Sequence, residues 1–277
     1  MSKGQFKIQK IMDVGAGHFI VHSLTIGLFE IVNMAQISKD EKDTINSMNL
    51  KIADYLIKAE RIGFDICSSI EEAYTKLKQE GVKTQSNERC VDVPSARDLD
   101  KICDFLKYGK QALQELVKIF NLFLQSKVSG PRFDKLYEKV CSADGYGKDD
   151  PIAIALKKDH DDWLKKFIVL RNTDEHPENR LPKGKQLYYD FDITWSDSDK
   201  KWIVRFPHFY EGTSINELVK TSIHNIFTFV EEMNILFLQK KMPGIVQILK
   251  VSEDQKDKYG GRRFVLDIKE PYRKGLR

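Results

Sequence analysis

The 277-residue chain carries only four cysteines, Cys67, Cys90, Cys103 and Cys141, far apart and with no CxxC pair. That scarcity excludes a zinc ribbon and a disulfide framework, and it fits a reduced cytoplasm. Charge of one sign is equally scarce. Forty-five Lys and Arg nearly balance forty-one Asp and Glu, for a net +4 at pH 7, too little to mark a nucleic-acid binder by itself. Long apolar runs are missing too. The nearest, His18 to Ala35, is interrupted by His22, Ser23, Thr25, Glu30 and Asn33, so no spanning helix is expected, and Met1 to Asp13 has no signal-peptide order. No internal repeat or low-complexity tract is present, and Gly15-Ala16-Gly17 lacks the third glycine of a dinucleotide fingerprint. What remains, 41% hydrophobic and 31% charged, reads as a soluble globular chain with a full core, one large unit or two small ones, and is taken as one domain over 1–277.

The apolar residues that are present fall at helical spacing. From Asp43 to Glu80, Ile45, Met48, Ile52, Tyr55, Leu56, Ala59, Ile62, Gly63, Ile66, Ile70, Ala73 and Leu77 form one stripe. Leu99, Ile102, Leu106, Leu113, Leu116, Phe120 and Phe123 repeat it up to Gly130-Pro131, which predicts an antiparallel partner, and a short helix is expected over Phe133 to Val140. Asp150 followed by Pro151 reads as the start of the next helix, with Ile152, Leu156, Trp163, Phe167 and Leu170 inward and a stop near His176 imposed by Pro177. Leu187 to Trp195 then alternates, and a polar turn leads to Trp202 through Phe206, the pattern of a β-hairpin. Ser214 and Glu217 open a further helix that ends at Pro243-Gly244. Ile245 to Val251 and Arg262 to Ile268 predict a last strand pair. The fold class is therefore mainly α, a bundle of long antiparallel helices with a core at 43–177 and a hairpin and helix extension at 186–277.

Chemistry concentrates where the helix opened by Asp150-Pro151 breaks, at Arg171, Asn172, Thr173, Asp174, Glu175 and His176. Arg171 is a permanent cation, and His176 exchanges a proton near neutral pH. On an unbroken helix the two would point roughly 140° apart. Unwinding before Pro177 would let the imidazole swing toward Arg171, with Asn172 and the free carbonyls of the helix end holding it. A phosphodiester between them would meet a base for its ribose 2′-hydroxyl and a guanidinium for its oxygens, so cleavage to a 2′,3′-cyclic phosphate and a 5′-hydroxyl needs no metal. One such pair lacks the acid for the leaving group, and a two-fold homodimer would supply a second. The bland alternative is basic side chains at a helix C-terminus complementing its dipole.

The Arg171-Asn172-x3-His176 arrangement resembles the signature of the HEPN superfamily, helical proteins of prokaryotic defence and toxin systems, over about Asp43 to Pro177. The resemblance implies a dimeric, metal-independent endoribonuclease acting on RNA, with Arg171 and His176 catalytic, Asn172 in support, and no cofactor. Toxins of this superfamily that pair with a nucleotidyltransferase carry Tyr two residues after the His; here Glu178 stands there, so modification by such a partner is not expected. The residues name no antitoxin or regulator. A domain that binds a nucleotide or a protein without cleaving is the reading from a different class.

Other clusters read as structure. His18 and His22 are spaced like metal ligands but lack a third, and Asp159, His160, Asp161 and Asp162 read as acidic side chains complementing the start of their helix. Glu60 is expected to pair with a Lys or Arg at the edge of the core. Trp195, Trp202, Tyr188, Tyr189, Phe206 and Phe209 are expected to pack the hairpin onto the helices rather than stack bases. Eight basic residues against three acidic ones between Gln255 and Arg277 read as a solvated tail.

Overall fold

The computed structural model describes residues 14–15, 17–84, 91–125, 127–130, 132–142, 145–255 and 262–273. Its elements begin with α1 (Phe19–Val21) and α2 (Leu28–Met34), joined by a π-turn, His22–Gly27, and continue with α3 (Lys39–Glu80), β1 (Lys83–Thr84) and β2 (Val91–Asp92). After a 3-10 turn at Leu99–Lys101 come α4 (Ile102–Phe123), α5 (Phe133–Val140), α6 (Pro151–Asp159), a π-turn at His160–Leu164, α7 (Lys165–Glu175) and α8 (Pro177–Arg180). The chain closes with β3 (Tyr188–Tyr189), β4 (Asp192–Ser196), β5 (Lys201–Arg205), β6 (His208–Phe209), α9 (Ile215–Gln239), β7 (Val246–Lys250), β8 (Phe264–Ile268) and α10 (Glu270–Arg273). Helices dominate, and among the described residues the strands form four separate antiparallel pairs, β1-β2, β3-β6, β4-β5 and β7-β8. The fold is mainly α, as the periodicity predicts. Among the described residues no helix is long and apolar enough to cross a membrane.

The 42-residue α3 starts four residues earlier than its apolar stripe. Ser38 caps it, accepting from the Glu41 N–H while the Glu41 carboxylate accepts from the Ser38 N–H at 2.8 Å, so two orphan donors are satisfied at once. Helix α4 runs antiparallel to α3, with the Gly63–Phe105 approach at one level and the Tyr55–Tyr108 stack at another. Helix α9 lies against both. Its Ser214 cap accepts from Glu217 N–H at 3.4 Å, and its Phe229, Val230, Met233 and Phe237 join Leu56, Ile66, Leu106, Leu116 and Phe120 in one buried core. Asn49 and Asn234, both buried, exchange two hydrogen bonds of 3.2 Å across α3 and α9; a polar pair sits in an otherwise apolar seam because each amide satisfies the other.

Several expectations change. The strand predicted from Leu187 to Trp195 is broken at Asp190 and Phe191: β3 pairs with β6, while β4 pairs with β5. Phe209 is fully buried, and Phe206 lies 4.5 Å from the Tyr74 ring on α3, so these aromatics do pack onto helices. Trp195 does not. It remains 45% exposed, 5.2 Å from the ring of its cross-strand neighbour Trp202. Glu60 pairs with His18, Nε2 to carboxylate 2.8 Å, and not with Lys or Arg. The acidic group at Asp159–Asp162 lies at the π-turn in mid-helix, beyond any helix start; Asp159 accepts from Trp163 Nε1–H at 2.7 Å, and His160 stacks on Tyr137. Burial there pushes the Asp159 carboxyl above its ordinary range. Of the basic stretch near the C-terminus, Arg262 and Arg263 are not solvated but tied to the body, through Glu30 and Glu231. Lys256, Lys258, Lys274 and Arg277 of that stretch lie outside the described residues, as do Cys90 and Pro131.

Candidate functional site

The motif helix is set by its neighbours. Asp150 accepts from Ile152 N–H at 2.9 Å and Pro151 occupies the first turn, as predicted. Further along, Phe167 packs so closely on α4 that a Cβ at Gly109 would stand 2.4 Å from its Cζ. Glycine at 109 therefore sets the distance between α4 and α7. That approach brings Lys110, the next residue, against the last turn of α7.

Here Glu175 is the hub. One of its oxygens accepts from Lys110 Nζ at 2.7 Å, the other from Arg171 Nη2 at 2.7 Å. Lys110 also donates to Asn172 Oδ1 at 3.1 Å. The lysine bond, then the charge of Arg171, hold the Glu175 carboxyl below the usual carboxylate range against partial burial, which acts the other way. Arg171 is 8% exposed, with Asp174 3.9 Å from Nη1, and its Nε and Nη1 have no hydrogen-bond acceptor. On the same side of α7, burial and a hydrogen bond with Asp174 push the Cys103 thiol up to about 12.

The helix ends where Pro177 requires. His176 leaves it at φ −137°, ψ 60°, its N–H still bonded to the Asn172 carbonyl at 3.2 Å, and the chain restarts at once as the single turn α8. The break exposes the imidazole beside a cleft of about 290 Å³, floored by Leu113, Phe133 and Ile168 and rimmed by Lys110, Arg132, Asn172, Glu175, His176 and Arg180. Four of those six rim side chains are basic or can become so. Among the described residues no carboxylate pairs with Arg180. Nor does any group of three His, Cys, Asp or Glu gather to hold a metal.

Two of the three expected site residues, His176 and Asn172, therefore meet at the cleft. Arg171 does not line it. The unwinding at His176 occurs, but the Asn172 side chain serves Lys110 and only its backbone carbonyl holds His176. Lys110 and Arg180 were not singled out from the sequence, and Glu175 was named there only as part of the motif, without a role. Glu175 had a signal, since it stands four residues after Arg171, the spacing of a helical ion pair. Lys110 had none, because only packing of α4 on α7 brings it there. Compared with protein-family models, curated proteins and solved structures, the chain matches none.

Proposed function

We propose that the chain is a metal-independent endoribonuclease of HEPN type, serving in a toxin or phage-defence role, that cleaves RNA by attack of a ribose 2′-hydroxyl on its own phosphate. The observation that carries this reading is the exposed imidazole of His176 at the helix break, on the rim of a cleft with Lys110 and Arg180. His176 takes the proton of the 2′-hydroxyl, and the two cations meet the phosphate oxygens where charge gathers. In this geometry Arg171 acts through Glu175: its guanidinium fixes one carboxylate oxygen while Lys110 bonds the other. Lys110 is then the cation that faces the phosphate, and Arg171 the residue that positions it. Each cleft has one imidazole, so a two-fold homodimer, with the two clefts facing each other, provides base and acid together.

A second reading, binding of a phosphate-bearing ligand without cleavage, draws on the commitment of Arg171 to Glu175 and Asp174 within its own helix. Labelled RNA incubated with purified protein in excess EDTA, beside His176→Ala and Arg171→Ala, separates the two. Cyclic-phosphate ends lost in both variants are the expected result. Intact RNA, or cleavage unchanged in the variants, leaves the binding reading in place.

A further inference from the structure

Five residues beyond Arg180, a second cleft opens beside the β3-β6 ribbon. It encloses about 410 Å³ and is lined by Lys185, Tyr189, Asp192, Arg205, His208 and Tyr210, together with Asp190 and Phe191. Its chemistry differs from that of the first cleft. Tyr189 and His208 are register partners across the ribbon, and their rings stack with centroids 5.4 Å apart. His208 is buried and its Nδ1 lies 3.0 Å from the Phe206 carbonyl. The contact makes Nδ1 the donor. Asp190 is occupied by Ser95 and by the Phe191 N–H. Lys185 and Arg205 are both exposed, and among the described residues neither forms a salt bridge, although Asp192 stands opposite Arg205 in the β4-β5 register.

Flat aromatic faces beside two exposed cations match one ligand class well, a nucleotide of single-stranded nucleic acid, whose base stacks and whose phosphate needs positive charge. The position matches too. The segment from Arg180 to Lys185 carries Arg180, Lys183 and Lys185 and spans at most about 17 Å, so a strand with its reacting phosphate in the first cleft reaches the second within a handful of nucleotides. We propose that this cleft is a nucleotide subsite for the same RNA, taking a base against Tyr189 and Tyr210 and a phosphate on Arg205 and Lys185. The proposal rests on the endoribonuclease reading for its substrate. Asp192 adds an acceptor, which favours bases with an exocyclic amine over uracil.

The test uses the full chain with a fluorescent twelve-nucleotide RNA and, separately, a dinucleotide too short to bridge the clefts. Arg205→Gln and Lys185→Gln, exposed substitutions whose folding is checked by thermal melts, are each expected to raise KM for the longer RNA about tenfold, with kcat and dinucleotide cleavage unchanged. Binding of the longer RNA to His176→Ala gives a readout that needs no cleavage. There each added Gln should lower the slope of log K against log salt by about 0.7, the value for one phosphate contact on a single strand. Unchanged KM and slope in both variants overturn the subsite while leaving cleavage intact. If the protein cleaves neither RNA but the slope still falls, the subsite stands and the endoribonuclease reading fails. If it cleaves neither and the slope is unmoved, both fail.

Discussion

Gly109→Ala is the sharpest test of how the site is positioned. The added Cβ would lie 2.4 Å from Phe167 Cζ, 3.1 Å from its Cε1 and 3.1 Å from Ile226 Cδ1. Ordinary carbon contacts sit at about 3.5–4.0 Å, so α4 and α7 must separate by roughly 1 Å or Phe167 must turn. It has little room to turn, being 1% exposed with Trp163 against it. Overpacking of a tight core costs typically about 1–3 kcal/mol, and this contact belongs at the upper end. Replacing glycine inside a helix returns about 1 kcal/mol. The net loss expected is about 2 kcal/mol, read as a fall of roughly 0.7 M in the urea midpoint if m is about 3 kcal/mol/M.

The double variant makes the argument specific. Phe167→Leu alone removes buried surface and costs about 1–2 kcal/mol, yet in the Gly109→Ala background it also clears the clash. The pair should therefore be more stable than the sum of the singles by about 2 kcal/mol, a coupling within the range seen for touching residues. Additive losses, or a Gly109→Ala protein as stable as the parent, would refute the claim that this glycine sets the helix spacing. The site should follow the spacing. Moving α7 off α4 parts Lys110 from Glu175 and Asn172, so if the site cleaves RNA, cleavage should drop in Gly109→Ala and return in the double variant.

On the endoribonuclease reading, Glu175→Gln removes a negative charge beside the phosphate site but frees Lys110, so RNA binding should tighten about threefold while kcat falls, a split visible in single-turnover kinetics at saturating RNA. Cys103, with its thiol near 12, should resist iodoacetamide at pH 8 as followed by peptide mass spectrometry. Because the unfolded thiol gives up its proton near its ordinary value of about 9 while the folded one keeps it, the Cys103 contribution is full below that pH and is lost as pH rises toward 12, which urea melts across that window would detect. Arg263→Met removes the cation 2.7 Å from the buried Glu231 carboxylate and should lower the midpoint of a thermal melt; Glu231→Gln added to it should recover part of the loss.

The helical frame is legible in the sequence because burial leaves a periodic mark. Ile45, Ile52, Leu56, Ala59, Ile66, Ile70 and Leu77 are all buried in the structure, as their spacing predicts. Where the reading fails, the deciding contact is remote in sequence. Asn49 breaks the apolar stripe and is buried because Asn234 meets it from α9. Glu60 finds His18, 42 positions upstream, ahead of any Lys or Arg. Trp195 has a core-like identity, yet its alternation fixes only which face of a strand it occupies. Whether that face meets a helix depends on where the chain breaks at Asp190, and the break follows from Ser95 and the Phe191 N–H holding its carboxylate.

The motif shows the same division within six residues. Local rules place the break at His176 and the proton-exchanging group outside the helix, and the structure agrees. They also place Arg171 four residues before Glu175, in favourable register for an ion pair, and that pairing competes with any approach of Arg171 to a ligand beside His176. Which of the two wins is decided by Lys110. It takes the other oxygen of Glu175 and lowers the tendency of that carboxylate to protonate, so the ion pair with Arg171 persists through neutral pH. A cation on another helix thus determines what the motif arginine does. If the site cleaves RNA, Lys110→Met should impair it at least as much as Arg171→Lys, since the first removes the charge at the cleft and the second only loosens its support. The opposite order, measured as kcat at saturating RNA, would return the direct role to Arg171.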